Sequence, residues 1–204
     1  TGAIVTTARA DVADCEQLRA VLDSIPTDRP LRGVVHAAGL LDDGQLATMT
    51  PERLTNVMAP KVDGAWNLHE LTRSADLDLF VLFSSASSLL GWGGQSNYAA
   101  ANAFLDALAR QRRDQGLVAH SLNLGPIANI GMAARLSQIG LVRLARLGLE
   151  LIRPNDGLDF IQAALTLPEP QIAILPIRID VMAQEPTLPP ILVDLVADRR
   201  RRPQ

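Results

Sequence analysis

Cysteine, tyrosine and lysine occur once each in this 204-residue chain, and each scarcity excludes something. A lone thiol, Cys15, rules out an internal disulfide and offers no thiolate cluster to a metal, which fits a reducing compartment. The three histidines, His36, His69 and His120, are scattered without metal-ligand spacing, so no metal site is expected. A net charge of −3 leaves no surface built to neutralise phosphates, which argues against nucleic acid as a partner. The one basic cluster, Arg199 to Arg202, reads as a solvated tail. The longest apolar runs, such as 77–83 with Asp78 inside it, fall far short of a membrane span, and no signal-peptide pattern opens the chain. The expectation is a cytoplasmic protein without membrane contact.

What is present is a series of short apolar stretches, rich in β-branched residues, alternating with helical patterns. Ile4 to Ala8 and Arg32 to His36 read as strands, with Asp14 to Ile25 between them as a helix capped by Asp11 or Asp14. Thr50-Pro51-Glu52 sets a capping threonine before a proline at the first helical position and opens a helix to about Arg73, which Pro60 should bend. Leu79 to Ser84 is almost wholly apolar, as a central strand of a parallel sheet would be. A helix from Asn97 to Gln115, ended by Gly116, and a strand from Val118 to Leu124 follow. Beyond them come an amphipathic helix within Ile127 to Leu149, a helix from about Asn155 to Leu167 and a last strand in Ile172 to Pro176. From Gln184 onward Pro186, Pro189, Pro190 and the arginine run break any regular pattern, so 1–183 reads as the globular portion and 184–204 as a tail or linker. The rhythm is that of an α/β fold, a Rossmann-like doubly wound parallel sheet with helices on both faces, in which ligands bind beyond the carboxyl ends of the strands.

Those strand ends hold small and polar residues that packing does not require: His36-Ala37-Ala38-Gly39, Ser84-Ser85 and Asn123-Leu124-Gly125-Pro126. Tyr98 and Asn102 lie four apart near a helix start, so they share a face, and the helix N-terminus favours a developing phenolate. Ser85 stands thirteen residues before Tyr98, at the end of the preceding strand. If the long helix brings Lys61 to this point, its ammonium lowers the phenol's pKa. That is equipment for carbonyl reduction: Tyr98 as general acid, Ser85 holding the carbonyl oxygen, Lys61 and Asn102 supporting the proton relay. No side chain can supply the hydride, so a cofactor must.

The residues Phe83-Ser84-Ser85 and Gly94-Gln95-Ser96-Asn97-Tyr98-Ala99-Ala100-Ala101-Asn102, continuing through Ala103-Phe104-Leu105-Asp106, resemble the ketoreductase domain of modular or iterative type I polyketide synthases. That domain is a branch of the short-chain dehydrogenase/reductase superfamily, most of which carries a Tyr-x-x-x-Lys pair. In the polyketide branch lysine and asparagine exchange places, and here Asn102 follows the tyrosine while Lys61 lies 37 residues before it. The resemblance spans about residues 8 to 180 and implies NADPH as cofactor. It places Ala10-Asp11-Val12 near the adenine and His36 to Gly39 along the ribose, with Ser84, Lys61, Tyr98, Gly125 and Pro126 as further cofactor contacts. Leu41-Asp42-Asp43 resembles the Leu-Asp-Asp motif of B-type ketoreductases, whereas the A-type has a tryptophan eight residues before the tyrosine, where this chain has Leu90. The implied product is a D-configured β-hydroxyacyl thioester. Gln95, Ser96 and Asn97 fall on the substrate side, where they either contact the thioester arm or line a polar loop, and Met132 reads as part of a lid or simply as core.

The glycine-rich loop that cradles a dinucleotide's pyrophosphate is absent; Gly91-Trp92-Gly93-Gly94-Gln95-Ser96 has serine where the last glycine belongs. The expectation is a chain lacking the N-terminal phosphate-binding β-α-β portion and inactive as this fragment alone. The implied partners are an acyl carrier protein bearing a phosphopantetheine-linked β-ketoacyl group, and other synthase domains including the missing N-terminal reductase portion. Two rival readings stand beside this one: a cofactor-free structural or docking half of a synthase reductase region, and a free-standing short-chain alcohol dehydrogenase.

Overall fold

A computed structural model describes residues 2–129 and 138–201. Its centre is a four-stranded sheet, β1 (Gly33–His36), β2 (Leu79–Ser85), β3 (His120–Leu124) and β4 (Gln171–Ile174), ordered β1-β2-β3-β4 with every neighbour parallel. Parallel neighbours need crossovers, and helices supply them. After α1 (Cys15–Asp23), α2 (Pro51–Leu71) joins β1 to β2, α3 (Ser87–Leu90) and α4 (Ser96–Asp114) join β2 to β3, and α5 (Gln138–Arg146) and α6 (Pro154–Leu165) join β3 to β4. The chain closes with α7 (Ile179–Met182), a 3-10 turn at Pro190–Leu192 and α8 (Val193–Arg201).

Local chemistry sets the helix starts. The Asp14 carboxylate accepts the Glu16 and Gln17 amides and so caps α1, while Thr50 accepts the Arg53 amide with Pro51 as the first residue of α2. Side-chain alternation along β2 feeds two cores. Phe80 and Leu82 pack with Val34, Leu18, Ala65, Leu68, Leu105 and Leu108 on the face of α1, α2 and α4. Val81 packs with Leu122, Ile152, Ile174 and the α6 residue Ala164 on the other. Burial on both faces is why β2 reads as one apolar run.

Two expectations fail. Ile4 to Ala8 forms no strand: β1 pairs with β2, nothing pairs with residues 4–8, and Ile4 and Val5 stand 81% and 83% exposed. β-branched composition suits a strand only where a neighbouring strand accepts the backbone hydrogen bonds. The chain after Gln184 does carry regular structure, because Pro189 and Pro190 occupy the cap and first position of the 3-10 turn, where a missing N–H costs nothing. Leu192 and Val196 from this segment then join Leu144, Leu149 and Met182 in a third core. Met132, assigned to a lid or to core, lies outside the described residues. Among the described residues no helix is long and apolar enough to cross a membrane.

Candidate active site

Parallel register carries the ends of β1, β2 and β3 to one edge of the sheet, with Ser84 opposite Asn123 and Ser85 opposite Leu124. β2 ends in a tight turn: the Ser87 amide donates to Ser85 Oγ at 3.2 Å and Ser88 Oγ lies 2.9 Å from the Ser85 carbonyl. Gly91 and Gly94, with φ of +66° and +85°, take the left-handed conformations that turn the chain into α4. Tyr98 therefore stands in the first turn of α4, its amide accepted by Asn97 Oδ1 at 2.8 Å. One turn on, Asn102 Nδ2 donates to the Tyr98 carbonyl at 2.7 Å. Lys61 reaches the same place from α2. Its Nζ donates to the Phe83 carbonyl at 2.9 Å and lies 5.6 Å from the centre of the Tyr98 ring.

Ser85, Tyr98, Asn102 and Lys61 are thus brought together. Burial raises the Tyr98 pKa, opposed by hydrogen bonds from the Asn102 and Ser85 side chains and reinforced by the Asp43 carboxylate. This reverses the lowering expected from Lys61. The ammonium faces the ring and is engaged by a carbonyl, and removing the phenolate from water outweighs what it contributes. Lys61, only 3% exposed, is itself pushed down to about 8 by burial, against the pull of Asp106. Burial, and then the Lys61 ammonium, push His36 down to about 4, against a hydrogen bond to the Pro60 carbonyl.

The loop after β1 is clipped to the loop before Tyr98. Asp42 forms an ion pair with Arg53, whose guanidinium also donates to the Asp43 carbonyl at 2.8 Å. Gln95 Nε2 donates to Asp43 Oδ2 at 3.0 Å, Asn97 Nδ2 to the Asp42 carbonyl at 2.9 Å, and the Gly44 amide to the Gly94 carbonyl at 2.7 Å. Gln95 and Asn97 therefore hold the Leu41-Asp42-Asp43 segment against the site. Leu90 is half-buried and packs with Trp92 against the third core.

The remaining residues assigned to a cofactor divide. Val12 packs on Gly64 of α2, and Asn67 Nδ2 donates to the carbonyls of Val12 and Ala13, which anchors the segment that includes Asp11. Gly125 donates its amide to the Ile174 carbonyl at 3.0 Å, and a Cβ there would meet Leu175 at 2.9 Å, so close approach of β4 explains this glycine. Pro126, the next residue, accepts the Ile152 amide. Ala37 is exposed, and Ala38 and Gly39 are half-buried beside His36. A nicotinamide–ribose group fits this edge: His36 Nε2, Asn102 Oδ1 and Ser87 Oγ are buried polar atoms lacking a partner, beside the Lys61 ammonium.

Sequence reasoning missed a buried cluster behind the serines. Asp106 Oδ1 accepts Ser121 Oγ at 2.6 Å, Asp106 Oδ2 accepts Ser88 Oγ at 2.7 Å, and Asn123 Nδ2 donates to both carboxylate oxygens. The available signal was a polar series at 98, 102 and 106, four residues apart on one helical face.

Comparison with known proteins agrees with this geometry. The sequence profile of the KR domain matches residues 1–129. Polyketide synthase GfsB of Streptomyces halstedii is 47% identical over 206 residues, covering 100% of this chain and 4% of the synthase. The spectinabilin polyketide synthase system protein NorB of Streptomyces orinoci is 50% identical over 188 residues, covering 89% of this chain and 9% of that protein. A solved structure described as an A1-type ketoreductase superposes with a TM-score of 0.83 at 38% identity, over 94% of this chain and 41% of its own. The chain therefore spans a small part of the synthases it matches and less than half of that ketoreductase.

Proposed function

The chain belongs to the KR domains of modular type I polyketide synthases, and on that premise we propose that it reduces a β-ketoacyl thioester to a β-hydroxyacyl thioester with NADPH. The observation that carries this reading is the half-buried Tyr98 with the Lys61 ammonium 5.6 Å from the centre of its ring, beside Ser85 and Asn102, whose side chains oppose the rise in its pKa. When bound, NADPH supplies the hydride for the carbonyl carbon. Ser85 donates a hydrogen bond to the carbonyl oxygen and so fixes its position. Tyr98 donates the proton that the oxygen needs as it becomes a hydroxyl, and its raised pKa keeps it protonated and ready as an acid. Lys61 stabilises the phenolate left behind, and Asn102 holds the carbonyl of Tyr98 and with it the start of α4. Lys61, Ser84, His36 to Gly39, Gly125 and Pro126 are the residues of this chain that would line the nicotinamide half of the cofactor, with Asp11 and Val12 towards the adenine.

The product is read as D-configured, in the manner of B-type domains, and the support is Asp42 and Asp43. Both are held against the Tyr98 loop by Gln95, Asn97 and Arg53. Leu90 is read as part of the same substrate side. The acyl group is presented on the phosphopantetheine of an acyl carrier protein, in the cytoplasm, with other synthase domains as neighbours. Residues 1–183 carry the site, and 184–204 lead towards the next domain.

The test joins this chain to a phosphate-binding reductase portion and offers NADPH with a diketide β-ketoacyl thioester. NADPH consumption and a D-alcohol on chiral chromatography are expected, with Tyr98→Phe turning over at least about a hundredfold more slowly. An L-alcohol would sink the B-type assignment. Absence of turnover, or a Tyr98→Phe variant as fast as its parent, would sink the reaction itself.

A further inference from the structure

Asp106 is 5% exposed, and every group on its carboxylate is a donor: two serine hydroxyls and one amide. A site asking for an acceptor on both oxygens is met by a carboxylate and not by an amide. The donors come from two different elements. Ser88 belongs to α3, its hydroxyl also lying 2.9 Å from the Ser85 carbonyl, while Ser121 and Asn123 belong to β3. Asn123 Nδ2 also donates to Ser84 Oγ at 3.1 Å, and Ser84 Oγ donates to the Asn102 carbonyl at 3.2 Å. The end of β2, which presents Ser85, is thereby tied to the helix that presents Tyr98 and Asn102, and Asp106 lies one turn further along that helix.

We infer that Asp106 is a positioning residue: held by Ser88, Ser121 and Asn123, its carboxylate locks the end of β2, whose Phe83 carbonyl accepts the Lys61 ammonium, to the helix that carries Tyr98. The catalytic meaning of that role rests on the ketoreductase reading; the test does not. Three ionisable groups act on or lie against Lys61: Tyr98 from α4 through its ring, and His36 from β1 and Asp106 from α4 through their electrostatics. Of these, Asp106 is the one whose charge favours the ammonium, against burial.

The single lysine makes the experiment direct, since protein labelled with 13C-lysine gives one Nζ-sensitive resonance whose pH titration reports Lys61 alone. In the full chain, Asp106→Asn is expected to lower the Lys61 midpoint from about 8 by about one further unit. Should the new amide, facing that of Asn123, prevent folding, Asp106→Ser removes the charge while leaving an acceptor, and the same fall is expected. An unchanged midpoint in either folded variant overturns the proposal. Failure of both to fold assigns Asp106 to the folding core and overturns it too. A lowered midpoint in a protein that shows no ketone reduction would leave this inference standing and remove the proposed reaction instead.

Discussion

Lys61 carries charge where charge is costly, and that cost has a sign that can be measured. Its folded pKa, about 8, lies below the ordinary lysine value of 10.5, with burial the largest cause. Below pH 8 both folded and unfolded chains bind the proton, so the full penalty acts. Between about 8 and 10.5 the folded chain has lost the proton while the unfolded one keeps it, so stability from this residue rises with pH across that window. Lys61→Met, close to it in volume, is therefore expected to stabilise the protein by about 1–3 kcal/mol at pH 7 and by progressively less towards pH 10, read from urea unfolding at each pH. Equal or lower stability of the variant at pH 7 would mean that Lys61 is better solvated than its 3% exposure indicates. Ser85, Tyr98, Asn102 and Lys61 were legible in the sequence because their spacing along three elements is itself a pattern. Asp106 and Asn123 were not, because Asn123 meets Ser84 only once β2 and β3 take up their register. The direction of the Tyr98 shift was misread for a related reason: spacing brings charges near one another and says nothing about how much water is excluded.

At the scale of elements, α2 is where backbone and site meet. Gly64 faces the loop before α1, and a Cβ there would stand 2.9 Å and 3.0 Å from the two methyl groups of Val12. Valine is stiff at χ1, so it cannot rotate away, and Asn67 pins the carbonyls of Val12 and Ala13 to the same helix. Gly64→Ala would gain up to about 1 kcal/mol of helix propensity and lose more to the overlap. The expected net effect is a loss of about 1–2 kcal/mol in urea unfolding. An increase in stability would show that the 11–13 segment moves freely and does not depend on α2. The glycine reads as a flaw in a good helical pattern until its partner is seen across a gap of more than fifty residues. Helix starts were easier, since Asp14 and Thr50 act on amides two and three residues away.

For the whole molecule, the errors of sequence reading fall at its two ends and share a cause. Ile4 to Ala8 has the composition of a strand without a neighbour to pair with, and the segment after Gln184 has the composition of a linker but has a core to join. Both outcomes are decided by partners that no local pattern records. The second makes the division at 183 testable. Leu192 and Val196 are 4% and 0% exposed, and they close a core that also holds Leu144, Leu149 and Met182, with Leu90 and Trp92 packed against it. Fully burying an aliphatic side chain contributes about 1.5–3 kcal/mol, so deleting 184–204 is expected to cost about 3–6 kcal/mol. Trp92 emission should move to longer wavelength in the shortened protein, and urea unfolding should begin at lower concentration. Equal stability and emission in the two forms would mark 184–204 as a linker and nothing more. Because Leu90 and Trp92 lie between β2 and the helix of Tyr98, a destabilised third core would also loosen the loop that leads into the site, so the tail's contribution reaches from the periphery to the chemistry.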